Sequence, residues 1–317
     1  MQPAFSVLLL TTLIGAGQGL FLALYLAELW GRVGWTPQPP PSFLAAGAAI
    51  AVVLTGLGLL SSFFHLGRPE RAWRSATRWR TSWLSREVIV LPMFMGALVV
   101  YALAHASGWS AANPVPVLAL GAATAVLALA LYVCTGMIYA CLKFLQEWHS
   151  PLTVVNYLLL GLASGFMLAT ALAAPAATAL VPFFAAGALL VTAAAFVSRA
   201  ASLVRNARLK PKSTLATAIG VRHPRIRQIS QGMMGGSFNT REFFHGRSRA
   251  FFRSIKWIFL VLAFPLPAVV LAAGLWQGSP LLPALAFVVQ YVGLLAERWF
   301  FFAQANHPQN LYYQAVA

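Results

Sequence analysis

The sequence predicts an all-α integral membrane protein, an eight-transmembrane-helix bundle with both termini cytoplasmic. Three observations predict it. First, 60% of the 317 residues are hydrophobic and only 9% are charged, whereas a soluble domain carries about 45–50% apolar and about 25% charged residues. Too little polar surface is available to cover a soluble globule, and the mean hydropathy of +0.75 agrees. Disorder, collagen and disulfide-stapled scaffolds are excluded by the same composition. Second, the apolar residues form continuous runs long enough for spans of about 20 residues. Transmembrane β-strands show alternating runs of about 10 instead. Third, the basic residues fall almost entirely on alternate connections.

The runs cover approximately 5–30, 43–64, 88–105, 115–141, 152–173, 179–198, 257–275 and 281–299, a single membrane domain over 1–317 with a long basic loop at 199–256. No Lys or Arg precedes the first run, which reads as a true span and not a cleaved signal peptide. Pro37, Pro39, Pro40 and Pro41 interrupt the chain after it. Loops 3/4, 5/6 and 7/8 are short and uncharged. Loop 2/3 holds six Arg, loop 6/7 holds thirteen Lys or Arg, Lys143 opens loop 4/5 and Arg298 ends the last run. In an eight-span layout those 21 share one side and only Arg32 lies on the other. The positive-inside rule makes the basic side cytoplasmic, and losing one span would scramble the division. Trp30, Trp73, Trp79, Trp83, Trp109, Trp148, Trp257 and Trp299 lie near run ends, where interfacial aromatics are expected. Gly15–Gly19 and Gly161–Gly165 have the small-residue spacing of close helix contacts. Cys134 and Cys141 are two helical turns apart, about 10 Å, too far for a disulfide. Both are expected to be small buried hydrophobes.

Polar groups at membrane depth are costly and tend to be functional. The richest segment joins runs 2 and 3. His65 closes one apolar run, Glu87 opens the next, and the connection between them carries Arg68, Arg71, Trp73, Arg74 and Arg80. A hairpin brings His65 and Glu87 to similar depth, where an imidazole and a carboxylate could bind and deprotonate a quinol, with Arg68 holding the carboxylate's charge. The bland alternative makes His65 a helix-end residue and Glu87 a partner of Arg86 or Arg68. Gln18 and Gln290, both mid-run, are expected to make interhelical hydrogen bonds. Adjacent helix residues do not face each other, so Glu297 and Arg298 each need a partner elsewhere. Haem b ligation would take two histidines at one depth. Of His65, His149 and His307 on the basic side, the last two sit in loop-like contexts. The basic loop interleaves aromatics with charge, as at Arg241 and Phe243, and is expected to dock a protein partner or anionic lipid. No nucleic-acid motif accompanies the charge.

The segment His65-Leu66-Gly67-Arg68-Pro69-Glu70-Arg71-Ala72, with Leu84-Ser85-Arg86-Glu87 after it, resembles the signature of the membrane-anchor subunits of the dimethyl sulfoxide reductase type. The eight-span layout and the run end Leu295-Ala296-Glu297-Arg298 agree. The resemblance implies an anchor for an iron–sulfur subunit and a molybdopterin catalytic subunit, in a heterotrimer on the bacterial cytoplasmic (inner) membrane. Such an anchor exchanges electrons with ubiquinone or menaquinone and normally carries no haem, while molybdopterin and iron–sulfur clusters sit in the partner subunits. The family's quinol-site histidine and glutamate map onto His65 and Glu87. There are two departures: the charge count places the His65 loop in the cytoplasm, and the long basic loop is absent from compact reductase anchors. Both are similar to the anchors of cytoplasmic-facing, quinone-linked sulfite dehydrogenases. There, Arg71, Trp73, Arg74, Arg80, Arg241 and Phe243 would face the partners. The alternatives are a quinol-oxidising anchor of an S-oxide reductase, a b-type cytochrome, and a transporter. A transporter is disfavoured, because its coupling carboxylates belong at the midplane and all six Glu lie at run ends or in loops.

Overall fold

The computed structural model describes residues 1–227, 229, 244–308 and 310–313, and all regular elements among them are helical. Eight helical segments are long and apolar enough to cross a membrane: Phe5–Arg32, Pro41–His65, Trp83–Ala106, Pro114–Ala140, Pro151–Ala176, Thr178–Ala207, Arg249–Gln277 and Leu282–Gln304, numbered here spans 1 to 8. The chain is therefore a multi-pass membrane protein. Several starts carry a proline in the first turn, as at Pro41, Pro114 and Pro151, where a missing N–H costs nothing and the fixed φ suits the helix. Ser82 and Ser248 cap spans 3 and 7 by accepting from the backbone N–H groups of Ser85 (3.3 Å) and Phe251 (3.2 Å). That satisfies donors that would otherwise be orphaned.

Spans 1 to 4 pack in a ring of consecutive neighbours, and spans 5 to 8 form a second group. The two groups meet chiefly along spans 1 and 5. Those two are the innermost: 72% of each apolar window is buried, against 33–50% for the other six. Glycine makes the seam possible. A Cβ on Gly19 would stand 2.1 Å from the Gly161 carbonyl oxygen, and one on Gly165 2.0 Å from the Gly19 backbone. The two small-residue pairs of the sequence thus face one another and let the backbones touch. Gln18 donates to the Ala128 carbonyl of span 4 at 2.8 Å, the interhelical role expected of it.

Span 7 is two helices, Arg249–Leu262 and Pro265–Gln277. The break follows from proline chemistry. The Ala263 carbonyl would normally accept from the residue four positions on, which is Pro267 and has no N–H. In hydrocarbon an unpaired carbonyl is costly. Gln290 of span 8 supplies the missing donor at 3.3 Å and also donates to Thr192 Oγ1 of span 6 at 3.0 Å. Gly293 gives the room, since a Cβ there would lie 2.3 Å from the Ala263 nitrogen.

Three expectations need correction. Span 6 continues as helix to Ala207, so Arg199 and Arg205 belong to it and not to the loop. Arg199 is buried, held by a carboxylate on span 8. Trp148 is a core residue and not an interfacial one, because its Nε1 donates to the Phe301 carbonyl at 2.9 Å. Cys134 is buried but Cys141, past the end of its helix, is exposed.

Candidate functional site

A cavity opens where the two four-helix groups meet. It is lined by Leu10, Thr11, Thr12, Ile14, Gly15 and Gln18 of span 1, Glu87 of span 3, and Tyr132 and Thr135 of span 4. Tyr157, Leu160, Gly161 and Ser164 of span 5 and Leu294 and Arg298 of span 8 complete it. Its cavity volume is about 20 Å³. It is a narrow slot, so a ring entering it must spread the walls. The slot lies toward the bundle end that carries the N-terminus of span 3 and the C-terminus of span 8, the basic end of the molecule.

Several polar wall residues are held by neighbours. Tyr132 reaches across the glycine seam to donate to the Gly15 carbonyl at 2.6 Å, and a Cβ on Gly161 would collide with its hydroxyl at 2.3 Å. Glu87, half-buried one turn into span 3, accepts a hydrogen bond from Thr135. Neither Arg86 nor Arg68 is its partner: Arg86 donates to the carbonyls of Trp79 and Arg80, at 2.9 Å each, and stacks on Trp83. Arg298 lies 3.7 Å over the Tyr157 ring. Glu297, its neighbour in sequence, faces Arg199 at 2.7 Å, the partner elsewhere expected of it, but it also lies 3.9 Å from Arg298, so the two adjacent charges are not separated as expected.

The sequence-predicted residues separate. Glu87 is in the slot wall. His65 is not; it sits exposed on a short 3-10 turn, Phe63–His65, with Nδ1 3.1 Å from Ser6 Oγ. Ser6 is one turn before Leu10, a slot residue, so His65 stands at the rim. Arg68 is exposed at the start of the 3-10 helix Pro69–Arg78 and makes no ion pair among the described residues. Arg71, Trp73, Arg74 and Arg80 are all exposed, with Arg74 over Trp73 at 5.6 Å and Arg80 over Trp79 at 5.3 Å. Arg241 and Phe243 lie outside the described residues. His149 contacts the Ala140 carbonyl at 2.6 Å, and the His307 ring packs 5.5 Å from Phe144.

Sequence reasoning missed Tyr132, Thr135, Tyr157, Ser164 and Arg298 as wall residues. A signal was present: Thr11, Gly15 and Gln18, then Tyr157, Gly161 and Ser164, are spaced four and three apart and so share one helix face. Also missed was a polar cluster at the other end of the bundle. There Tyr101 donates to Glu28, and His105 Nε2 lies 3.5 Å from the same carboxylate, all three buried.

An eight-span helical bundle with a polar slot at its central seam, near a basic and aromatic face, defines the class as a multi-pass helical membrane protein. The family model of the DMSO reductase anchor subunit (DmsC) matches residues 1–303, and the chain belongs to that family. It is 54% identical to a sulfite dehydrogenase subunit of Allochromatium vinosum, over 100% of both chains.

Proposed function

We propose that the chain anchors a molybdopterin oxidoreductase to the bacterial inner membrane and passes electrons between a partner iron–sulfur subunit and the quinone pool, the electrons coming from sulfite. The observation that carries this reading is the slot, with Glu87, Gln18, Tyr132 and Arg298 set among Leu10, Ile14, Leu160 and Leu294. A few placed polar groups in an apolar wall suit a quinone, whose ring is greasy and whose two oxygens are polar. The position near the basic face supports it further. A quinone there lies close to a docked electron donor, and the exposed Arg74–Trp73 and Arg80–Trp79 pairs offer the donor a surface. The sulfite assignment rests on the full-length similarity to a sulfite dehydrogenase subunit.

A bound quinone supplies two-electron, two-proton redox chemistry; the chain's own residues supply the seat and the protons. Glu87 exchanges a proton at its carboxylate, with Thr135 fixing its orientation. His65, at the rim, relays that proton to water, since an imidazole can accept or donate a proton. Arg68 beside it keeps the rim cationic. The 21-to-1 division of basic residues supports a cytoplasmic position for this end and for the partners.

The test is purification of the tagged chain followed by two assays. Molybdopterin and iron–sulfur subunits co-purify in the expected outcome. The His65→Ala complex keeps its rate with a soluble artificial acceptor and loses quinone-linked turnover about 10²-fold, the usual size of a lost acid–base group. A chain that purifies alone, or His65→Ala with unchanged quinone kinetics, contradicts the reading or the place of His65 in it.

A further inference from the structure

The charges behind the slot do not balance. Arg199, Glu297 and Arg298 form one buried cluster, at 1%, 1% and 5% exposure, in which two guanidinium groups share one carboxylate. The sharing is unequal: Arg199 Nε is 2.7 Å from Glu297, whereas Arg298 Nε is 3.9 Å away. Arg298 Nε has no hydrogen-bond partner among the described residues. Its guanidinium lies over the Tyr157 ring at 3.7 Å and its side chain lines the slot. The other charged side chain in that wall among the described residues, Glu87, is engaged with Thr135, and no ion pair joins it to Arg298. A desolvated, half-compensated cation is expensive to bury, and this one is aimed at a space.

We propose that Arg298 is the anion-recognising group of the slot, binding the ligand oxygen that carries negative charge, with Arg199 and Glu297 serving to position it. The proposal rests on the quinone reading above and adds the polarity of the site. One quinone oxygen faces a fixed cation, the other end faces the Glu87 proton exchanger. Charge that builds on an oxygen before a proton arrives is then met by a preorganised donor in a dry wall, where such stabilisation is strongest. Arg199 fits the positioning role because it lies closer to Glu297, at Oε1, while Arg298 is only loosely held by Oε2 and lines the slot. The aromatic faces of Phe259 and Phe300, 5.4 and 6.0 Å from the Arg199 guanidinium, keep that pair away from lipid.

The test measures equilibrium binding of three naphthoquinones of one ring size to the purified complex at neutral pH. 2-Hydroxy-1,4-naphthoquinone is ionised there; the 2-methoxy and 2-methyl compounds stay neutral. Wild-type complex is expected to bind all three and to prefer the hydroxy over the methoxy compound about tenfold or more, the range of one charge-assisted hydrogen bond. Arg298→Gln should erase that preference, lowering binding of the anion by more than that of the two neutral compounds, while Arg298→Lys keeps part of it. Wild-type complex that binds neutral quinones without preferring the anion overturns the proposal and leaves the quinone site standing, and this arm needs no variant to fold. An Arg298→Gln complex that loses neutral and anionic binding equally overturns it too, and returns Arg298 to a structural role. Failure of all three compounds to bind wild type rejects the quinone reading itself.

Discussion

At the residue scale the slot depends on a few side chains whose roles differ in kind. Among the described residues Glu87 is the only carboxylate lining it, and its hydrogen bond from Thr135 leaves an oxygen for a ligand or a proton. Glu87→Gln keeps the shape and removes the exchangeable proton. Its complex is expected to lose about 10²–10⁴-fold in quinone-linked turnover while artificial-acceptor activity and assembly stay unchanged; steady-state kinetics with both acceptors checks this, and equal loss with both would place Glu87 in assembly instead. Glu87 was legible in the sequence because a lone carboxylate at the start of an apolar run has few reasons to be there. Arg298 was visible as a charge, but its destination was not, since a helix end by itself does not say which face meets a cavity. The Glu28–Tyr101–His105 cluster was hidden for a similar reason: Glu28 is near a span end in sequence, yet span 1 is central, so the carboxylate is buried. Tyr101→Phe would leave Glu28 without its donor and destabilise the bundle by about 2 kcal/mol, the size of a hydrogen bond to a charged group. A thermal midpoint in detergent no lower than wild type would deny that role.

At the element scale, existence was easier to read than extent. Continuous apolar runs mark where a span must be, and all eight runs coincide with spans. Their ends moved because amphipathic polar residues extend a helix past the greasy stretch. Span 6 gains its last two turns from residues such as Arg199 and Arg205, whose side chains reach partners on other elements. The division of span 7 was written in Pro265 and Pro267, but its repair by Gln290 needs a neighbour that only the tertiary fold supplies. Replacing Gln290 by Leu keeps the volume and orphans the Ala263 carbonyl. The expected cost is about 1–3 kcal/mol for an unsatisfied buried group, read as a lower thermal midpoint of the purified complex in detergent. Stability equal to wild type would show that the break is satisfied in another way.

At the scale of the whole molecule, the two four-helix groups, joined on a glycine seam, place a polar slot beneath a basic, tryptophan-studded face. Pattern alone could not reveal the slot, because it is built from five spans far apart in sequence. The side on which it opens follows from the charge division: a fluorescent protein fused to the C-terminus should be bright and a phosphatase fusion inactive. A dark, phosphatase-active pair would move the partners to the opposite side of the membrane. The central claim is that quinone meets this chain inside the slot at the span 1–span 5 seam. Electron cryo-microscopy of the assembled complex with added quinone tests it most directly. The account predicts ring-shaped density between spans 1 and 5, with one oxygen within about 3 Å of Arg298 and the other end toward Glu87, a hydrogen-bonding distance. Quinone density elsewhere, with the slot closed around Gly15 and Gly161, would contradict it.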